Sequence, residues 1–239
     1  MEKKIEIWYD QDASNPFEDW DCEPELIYYS GGRHGSTTDC SGGNIVEEIK
    51  RKATTGLVKR HIKTIFHDIL ETDPNYFETF DERYNYVMDE IGSATVKDLA
   101  KFCELFKIPH SYHNSTGYSQ GDWAEVLLVC TDEFFETTGC ERKNAEEILK
   151  GARELFDAWI WGDVFGFTEY TRKDYVKIPR EEYAKGSFEN VQEEVEWEQT
   201  DSCGGFYGDN FENNGMLDYV SEELKEVVKN FDKSKVLYK

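Results

Sequence analysis

The stretch NAEEILKGARELFDAWIWGDVFGFTEY, residues 144–170, changes its hydrophobic period partway along and so decides the fold class. Ala145, Ile148, Leu149, Ala152, Leu155, Phe156 and Trp159 recur at three- and four-residue spacing, the pattern of a helix with one buried face. Asn144 with Glu147 three residues on resembles a capping box at its start. Beyond Gly162, the run Asp163 to Tyr170 is short and aromatic, and reads as a strand. Helices and strands interleave along the chain without a regular βαβ rhythm. This predicts an α+β fold, a mainly antiparallel sheet covered by helices, with a helical segment inserted in the first half.

Outward from that stretch, the alternating residues 3–9, Glu25 to Ser30, Ala124 to Cys130 and Glu194 to Glu198 read as further strands. Asp73 followed by Pro74 starts a predicted helix whose stripe is Phe77, Phe80, Tyr84, Val87, Met88 and Ile91. Thr95 starts another, with Leu99, Phe102, Cys103 and Phe106 on one face and Pro109 beyond its end. Leu217, Val220, Leu224, Val227, Val228 and Phe231 predict a C-terminal helix. With neither a repeat nor a linker in view, residues 1–239 are expected to form a single domain, with 44–107 as a helical subdomain.

Charge narrows the function classes. Lys and Arg number 27 against 50 Asp and Glu, a formal net charge of −23 at pH 7, so direct binding of nucleic acid is not expected. The chain is nevertheless 38% hydrophobic and 15% aromatic, enough for a packed core rather than an acidic tail. The N-terminus has no apolar signal segment and no run is long enough to span a membrane, so a cytoplasmic protein with no membrane partner is expected. The 6 cysteines are scattered and read as free thiols.

Three acidic blocks stand out. Asp10 to Glu25 holds Glu18, Asp19, Asp21 and four further carboxylates around Phe17 and Trp20, with no Lys or Arg. Glu71 to Glu90 has seven acids and one Arg, and Glu189 to Asp201 contains the alternating Glu194, Glu196 and Glu198. Strand alternation puts those three glutamates on one face, about 7 Å apart, and Val195 and Trp197 on the other. The candidate partner-binding residues are therefore Glu194, Glu196, Glu198, Asp19 and Asp21, with Trp20, Trp197 and Tyr207 as aromatic anchors. Against them, Lys50 to Lys63 carries six basic residues and no acid, and reads as a basic helix face neutralising carboxylates of the same fold or docking a second subunit, with a break or bend at Gly56.

Catalytic and metal signals are weak. His110 and His113, or Cys22, His34 and Cys40, lack the paired short spacings of a zinc site. Neither a metal nor another cofactor is expected. Cys203 lies in a glycine-rich turn, DSCGGFYG at 201–208, and reads as a structural thiol. A small hydrolase or nucleotide-modifying enzyme using Cys203, His110 and His113, and a module that sequesters a small nucleotide, are the alternatives to an inhibitor that binds a host protein.

Four motifs resemble those of a known family. NPFEDWD at 15–21 with His34 and Asp39, GDWAEV at 121–126, WGDVFGF at 161–167 and DSCGGFYG at 201–208 resemble the patterns of acidic, functionally unassigned proteins carried by bacteriophages and mobile elements. Gly204 stands where that family has Trp. The resemblance implies a setting in the host cytoplasm in which small acidic proteins counter host defence. The expected function is thus a phage-type acidic inhibitor, able to self-associate, that binds a host restriction, CRISPR or other nuclease complex by nucleic-acid mimicry.

Overall fold

The computed structural model describes residues 2–19, 23–31, 36–39, 42–118, 122–177, 180, 184 and 192–238. The strands are β1 (Lys3–Tyr9), β2 (Glu25–Gly31), β3 (Ser36–Asp39), β4 (His110–Tyr118), β5 (Asp122–Val129), β6 (Val164–Lys177), β7 (Gln192–Tyr207) and β8 (Leu237–Tyr238). The helices are α1 (Pro16–Asp19), α2 (Gly42–Lys52), α3 (Thr55–Thr64), α4 (Phe80–Ile91), α5 (Val96–Phe106), α6 (Asp132–Thr138), α7 (Ala145–Trp161) and a C-terminal helix, Glu222–Lys229. The fold is α+β, with antiparallel pairing dominating two sheets rather than one. The chain falls into two compact units, Asn15–Trp161 and Met1–Ser14 with Gly162–Lys239. None of the described helices is long and apolar enough to cross a membrane.

In the Asn15–Trp161 unit the sheet order is β3-β2-β5-β4, antiparallel throughout. The run Val126 to Cys130 is continuously apolar because β5 is central and covered on both faces. Leu127 and Val129 face a core built from α2 to α5 and the π-helical turn Ile65–Ile69, including Ile45, Ile49, Phe66, Ile91 and Phe102, so residues 44–107 cover one face of this sheet. Val126, Leu128 and Cys130 face the opposite core, where Leu149, Ala152 and Phe156 of α7 pack with Leu26 and Tyr28. Burial pushes the thiols of Cys103 and Cys130 up to about 12, which fits inert core cysteines.

Three helix boundaries differ from the sequence expectation, the C-terminal one because Leu217 lies in a 3-10 turn, Met216–Asp218, and the helix proper starts at Glu222. The helix predicted from Asp73 is a 3-10 turn, Pro74–Tyr76, followed by extended Phe77. The longer helix starts at Phe80, where Thr79 and Glu82 form a reciprocal capping box that outcompetes the earlier start. The basic stretch breaks at Ala53 and Thr54 rather than at Gly56. Thr54 caps α3 by accepting from Leu57 N at 3.4 Å, and Gly56 sits in its first turn.

The second unit is two-layered. Its sheet order is β7-β6-β1-β8, with β8 parallel to β1 and the other pairs antiparallel. Ile5, Ile7, Phe165, Phe167 and Phe206 pack against Met216, Leu224 and Val228. The buried Glu169 carboxylate, 4% exposed, accepts from Ser221 N at 2.6 Å and so meets the positive end of the C-terminal helix. On the other sheet face Trp8 lies across Gly166, and its Nε1 donates to Thr168 Oγ1 at 3.1 Å. Strand β6 pairs with β1 as far as Thr171. Beyond that, Arg172–Lys177 and Gln192–Trp197 continue as a two-stranded ribbon.

Candidate functional site

Register in the ribbon sets what each acidic side chain faces. Glu198, Glu196 and Glu194 lie opposite Thr171, Lys173 and Tyr175, so the three glutamates share a face, as alternation predicts. That face is not purely acidic. Lys173 pairs with Glu198, a contact that raises the lysine pKa, and Lys177 Nζ is 3.0 Å from Glu194 Oε1. Such exposed pairs contribute little stability, yet they cancel much of the field the glutamates would project.

The aromatic anchors also have local duties. Trp197 is half-buried, with Lys4 Nζ 5.2 Å from its ring centroid, and the same ammonium lies 4.5 Å from the Tyr170 ring. Tyr207 donates its hydroxyl proton to Ser14 O at 2.8 Å. In the N-terminal block, Asp19 ends α1, where Asn15 Oδ1 accepts from Phe17 N at 3.1 Å. Trp20 and Asp21, like Cys22, His34 and Cys40, lie outside the described residues, as does the Asp19 side chain.

In the middle acidic block, the carboxylates make no ion pair among the described residues. Asp73 accepts from Asn75 N at 2.8 Å, and Glu82 accepts from Glu78 N at 2.8 Å and Thr79 N at 3.0 Å. These bonds from the Thr79 and Glu78 backbone hold the Glu82 carboxyl below its usual range. Glu71, Glu78, Asp81 and Asp89 are exposed, and among the described residues none has an ion pair. At the apex of this segment the 3-10 turn projects Tyr76, 82% exposed. The sequence singled out the block but missed Tyr76, which it had assigned to a regular helix. The only available signal was Pro-Asn-Tyr after Asp73, a turn composition.

The basic segment divides. Arg51 contacts Glu48 and lies 2.6 Å from Asp132, Lys52 is 2.7 Å from Asp132 and 3.6 Å from the 4%-exposed Glu48, and Arg142 reaches Asp132 at 2.5 Å. Burial raises the Asp132 pKa, but hydrogen bonds from Lys52, Arg142 and Arg51 outweigh it and hold the carboxyl well below the usual range. A carboxyl with a lowered folded pKa stabilises the fold above its unfolded value, about 3.8, and that contribution drains away as pH falls below it. Asp132→Asn is expected to cost about 1–3 kcal/mol at pH 7 and to flatten the loss of stability below pH 4, as read by urea denaturation across pH. Lys59, by contrast, lies 5.9 Å from the Phe80 ring centroid, and Arg60 and Lys63 are exposed.

The residues of the hydrolase alternative are not brought together within either unit. Cys203 belongs to one unit, its Sγ 3.7 Å from Gly204 O, while His110 and His113 belong to the other. On β4 the two histidines are three residues apart and so take opposite faces. His110 Nδ1 bonds Ile108 O at 2.9 Å, and His113 Nδ1 accepts from Arg153 at 2.8 Å. Burial, with the adjacent guanidinium, lowers the His113 pKa and keeps its ring neutral. Among the described residues no group of three or more His, Cys, Asp or Glu is arranged to hold a metal ion.

No protein-family model, no curated protein and no solved structure matches the chain.

Proposed function

We propose that the protein is a non-enzymatic binding protein whose acidic surface occupies a cationic cleft on a partner, and that the partner is a nucleic-acid-handling complex of host defence. The observation carrying this reading is the segment Glu71–Glu90, whose carboxylates make no ion pair among the described residues and which exposes Tyr76. A cleft built for phosphates attracts unpaired carboxylates held on a rigid element, and one exposed aromatic ring supplies the specific, desolvated contact that charge alone does not. This moves the centre of the interface from Glu194, Glu196 and Glu198, where Lys173 and Lys177 offset the charge, to Tyr76, Glu78 and Asp81. Glu194, Glu196, Glu198, Asp19 and Asp21 then contribute to long-range steering.

Two charge-neutral variants test the assignment. Glu78→Gln with Asp81→Asn leaves the capping residues Asp73, Thr79 and Glu82 in place, and Glu194, Glu196 and Glu198→Gln neutralises the ribbon. With a restriction or CRISPR nuclease as target, the protein is expected to slow cleavage competitively with nucleic acid. The Glu78/Asp81 variant should weaken inhibition and its salt dependence more than the ribbon variant does. Inhibition equal in the parent and the Glu78/Asp81 variant would remove this surface from the mechanism. Tyr76→Ala is expected to leave thermal stability within about 0.5 kcal/mol, since the ring is exposed, while cutting partner affinity at least about tenfold in a titration.

A further inference from the structure

A cleft of about 560 Å³ in the Asn15–Trp161 unit runs between the start of β4 and the first turns of α7. Its walls carry Lys143, Lys150 and Arg153 against one carboxylate, Glu146, in a chain whose net charge is −23, and Arg142, also on the wall, is taken up by Asp132. Ala145 and Leu149 supply an apolar floor. The volume falls within the range of small-molecule sites, about 300–1,000 Å³.

Helical spacing explains how the cations converge. Glu146, Lys150 and Arg153 are four and three residues apart on α7, so they share one face, and the turn Arg142–Asn144 adds two more side chains at the helix start. Arg153 is fixed by its bond to His113 Nδ1 at 2.8 Å, and its Nε is 3.7 Å from Asp157, at the edge of ion-pair range. The lysines are held loosely. Lys150 is 3.8 Å from Glu154, both well exposed, and Lys143 pairs with the exposed Glu141. Exposed lysine pairs of this kind exchange readily for a stronger anion.

We infer that this cleft binds a small organic phosphate, its phosphate group held by Arg153, Lys150 and Lys143 and its body resting on Ala145 and Leu149. The polyanionic surroundings disfavour a nucleic-acid strand, whereas a single dianion is served by the local cations. The inference is independent of the acidic segment around Tyr76.

The test is calorimetric titration of the full chain at low ionic strength with AMP, ribose 5-phosphate, inorganic phosphate, adenosine and a short oligodeoxynucleotide, with amide NMR to locate the effect. AMP and ribose 5-phosphate are expected to bind, more tightly than inorganic phosphate and with shifts at residues 109–111 and 142–153, while adenosine and the oligonucleotide do not. Lys143→Gln with Lys150→Gln should weaken AMP binding about tenfold without changing the melting temperature, because both side chains are exposed. Arg153→Lys, which keeps the charge but loses the planar fork, should weaken it further. AMP without effect at the cleft, adenosine or inorganic phosphate binding as tightly as AMP, tighter oligonucleotide binding, or an unchanged affinity in the lysine double variant would each overturn the assignment.

Discussion

Phe156→Ala is expected to destabilise the Asn15–Trp161 unit by about 3–5 kcal/mol. The side chain is fully buried on the α7 side of the sheet, where it meets Tyr28 at 5.3 Å, Trp159 at 6.0 Å and Phe17 at 6.3 Å between ring centroids. Truncation removes the transfer free energy of a whole ring and leaves a void that strand β2 and helix α1 cannot both close. Because α7 also carries Lys150 and Arg153, the same variant should loosen the basic cleft. The measurement is urea denaturation followed by near-ultraviolet circular dichroism. A shift in stability below about 1 kcal/mol would mean that this core repacks freely and that α7 is not anchored through Phe156.

The second large effect is expected from adding a single methyl group at position 166. An alanine Cβ there would lie 2.3 Å from Trp8 Cη2 and 2.4 Å from Cζ2, far inside van der Waals contact, so the indole must swing off the sheet. Moving it breaks the Nε1 bond to Thr168 Oγ1, and Thr168 Oγ1 is itself 3.2 Å from Ser202 Oγ. Gly204 has a related constraint, because a Cβ there would lie 2.5 Å from Asp10 Oδ2, the atom that accepts from Gly205 N at 2.9 Å. Gly166→Ala is expected to cost about 2–3 kcal/mol, and the double variant Trp8→Leu, Gly166→Ala to recover part of it. Equal stability of Gly166→Ala and the parent would show that Trp8 does not lie against that glycine.

Periodicity carried much of the fold. The stripe of residues 145–159 determines α7, the alternation of 3–9 determines β1, and the apolar run at 126–130 determines a buried strand, because each pattern reports which side chains leave water and at what spacing. The net charge and the three acidic blocks were equally legible, since composition needs no geometry.

Tertiary structure alone decided the rest. Whether a glutamate face stays acidic depends on which strand lies opposite, and β6 brought Lys173 and Lys177 to Glu194, Glu196 and Glu198 through a register that only non-local pairing fixes. Tyr76 became an exposed apex because the Thr79 and Glu82 capping box started α4 late, a competition between local hydrogen bonds that apolar spacing does not record. The basic cleft joins residues 109–111 at the start of β4 to residues 142–153 of α7 and the turn before it, and no sequence period links segments that far apart. Residue patterns report burial along one element. Which elements face one another is set by long-range packing, and that packing determined where charge survives and where it is cancelled.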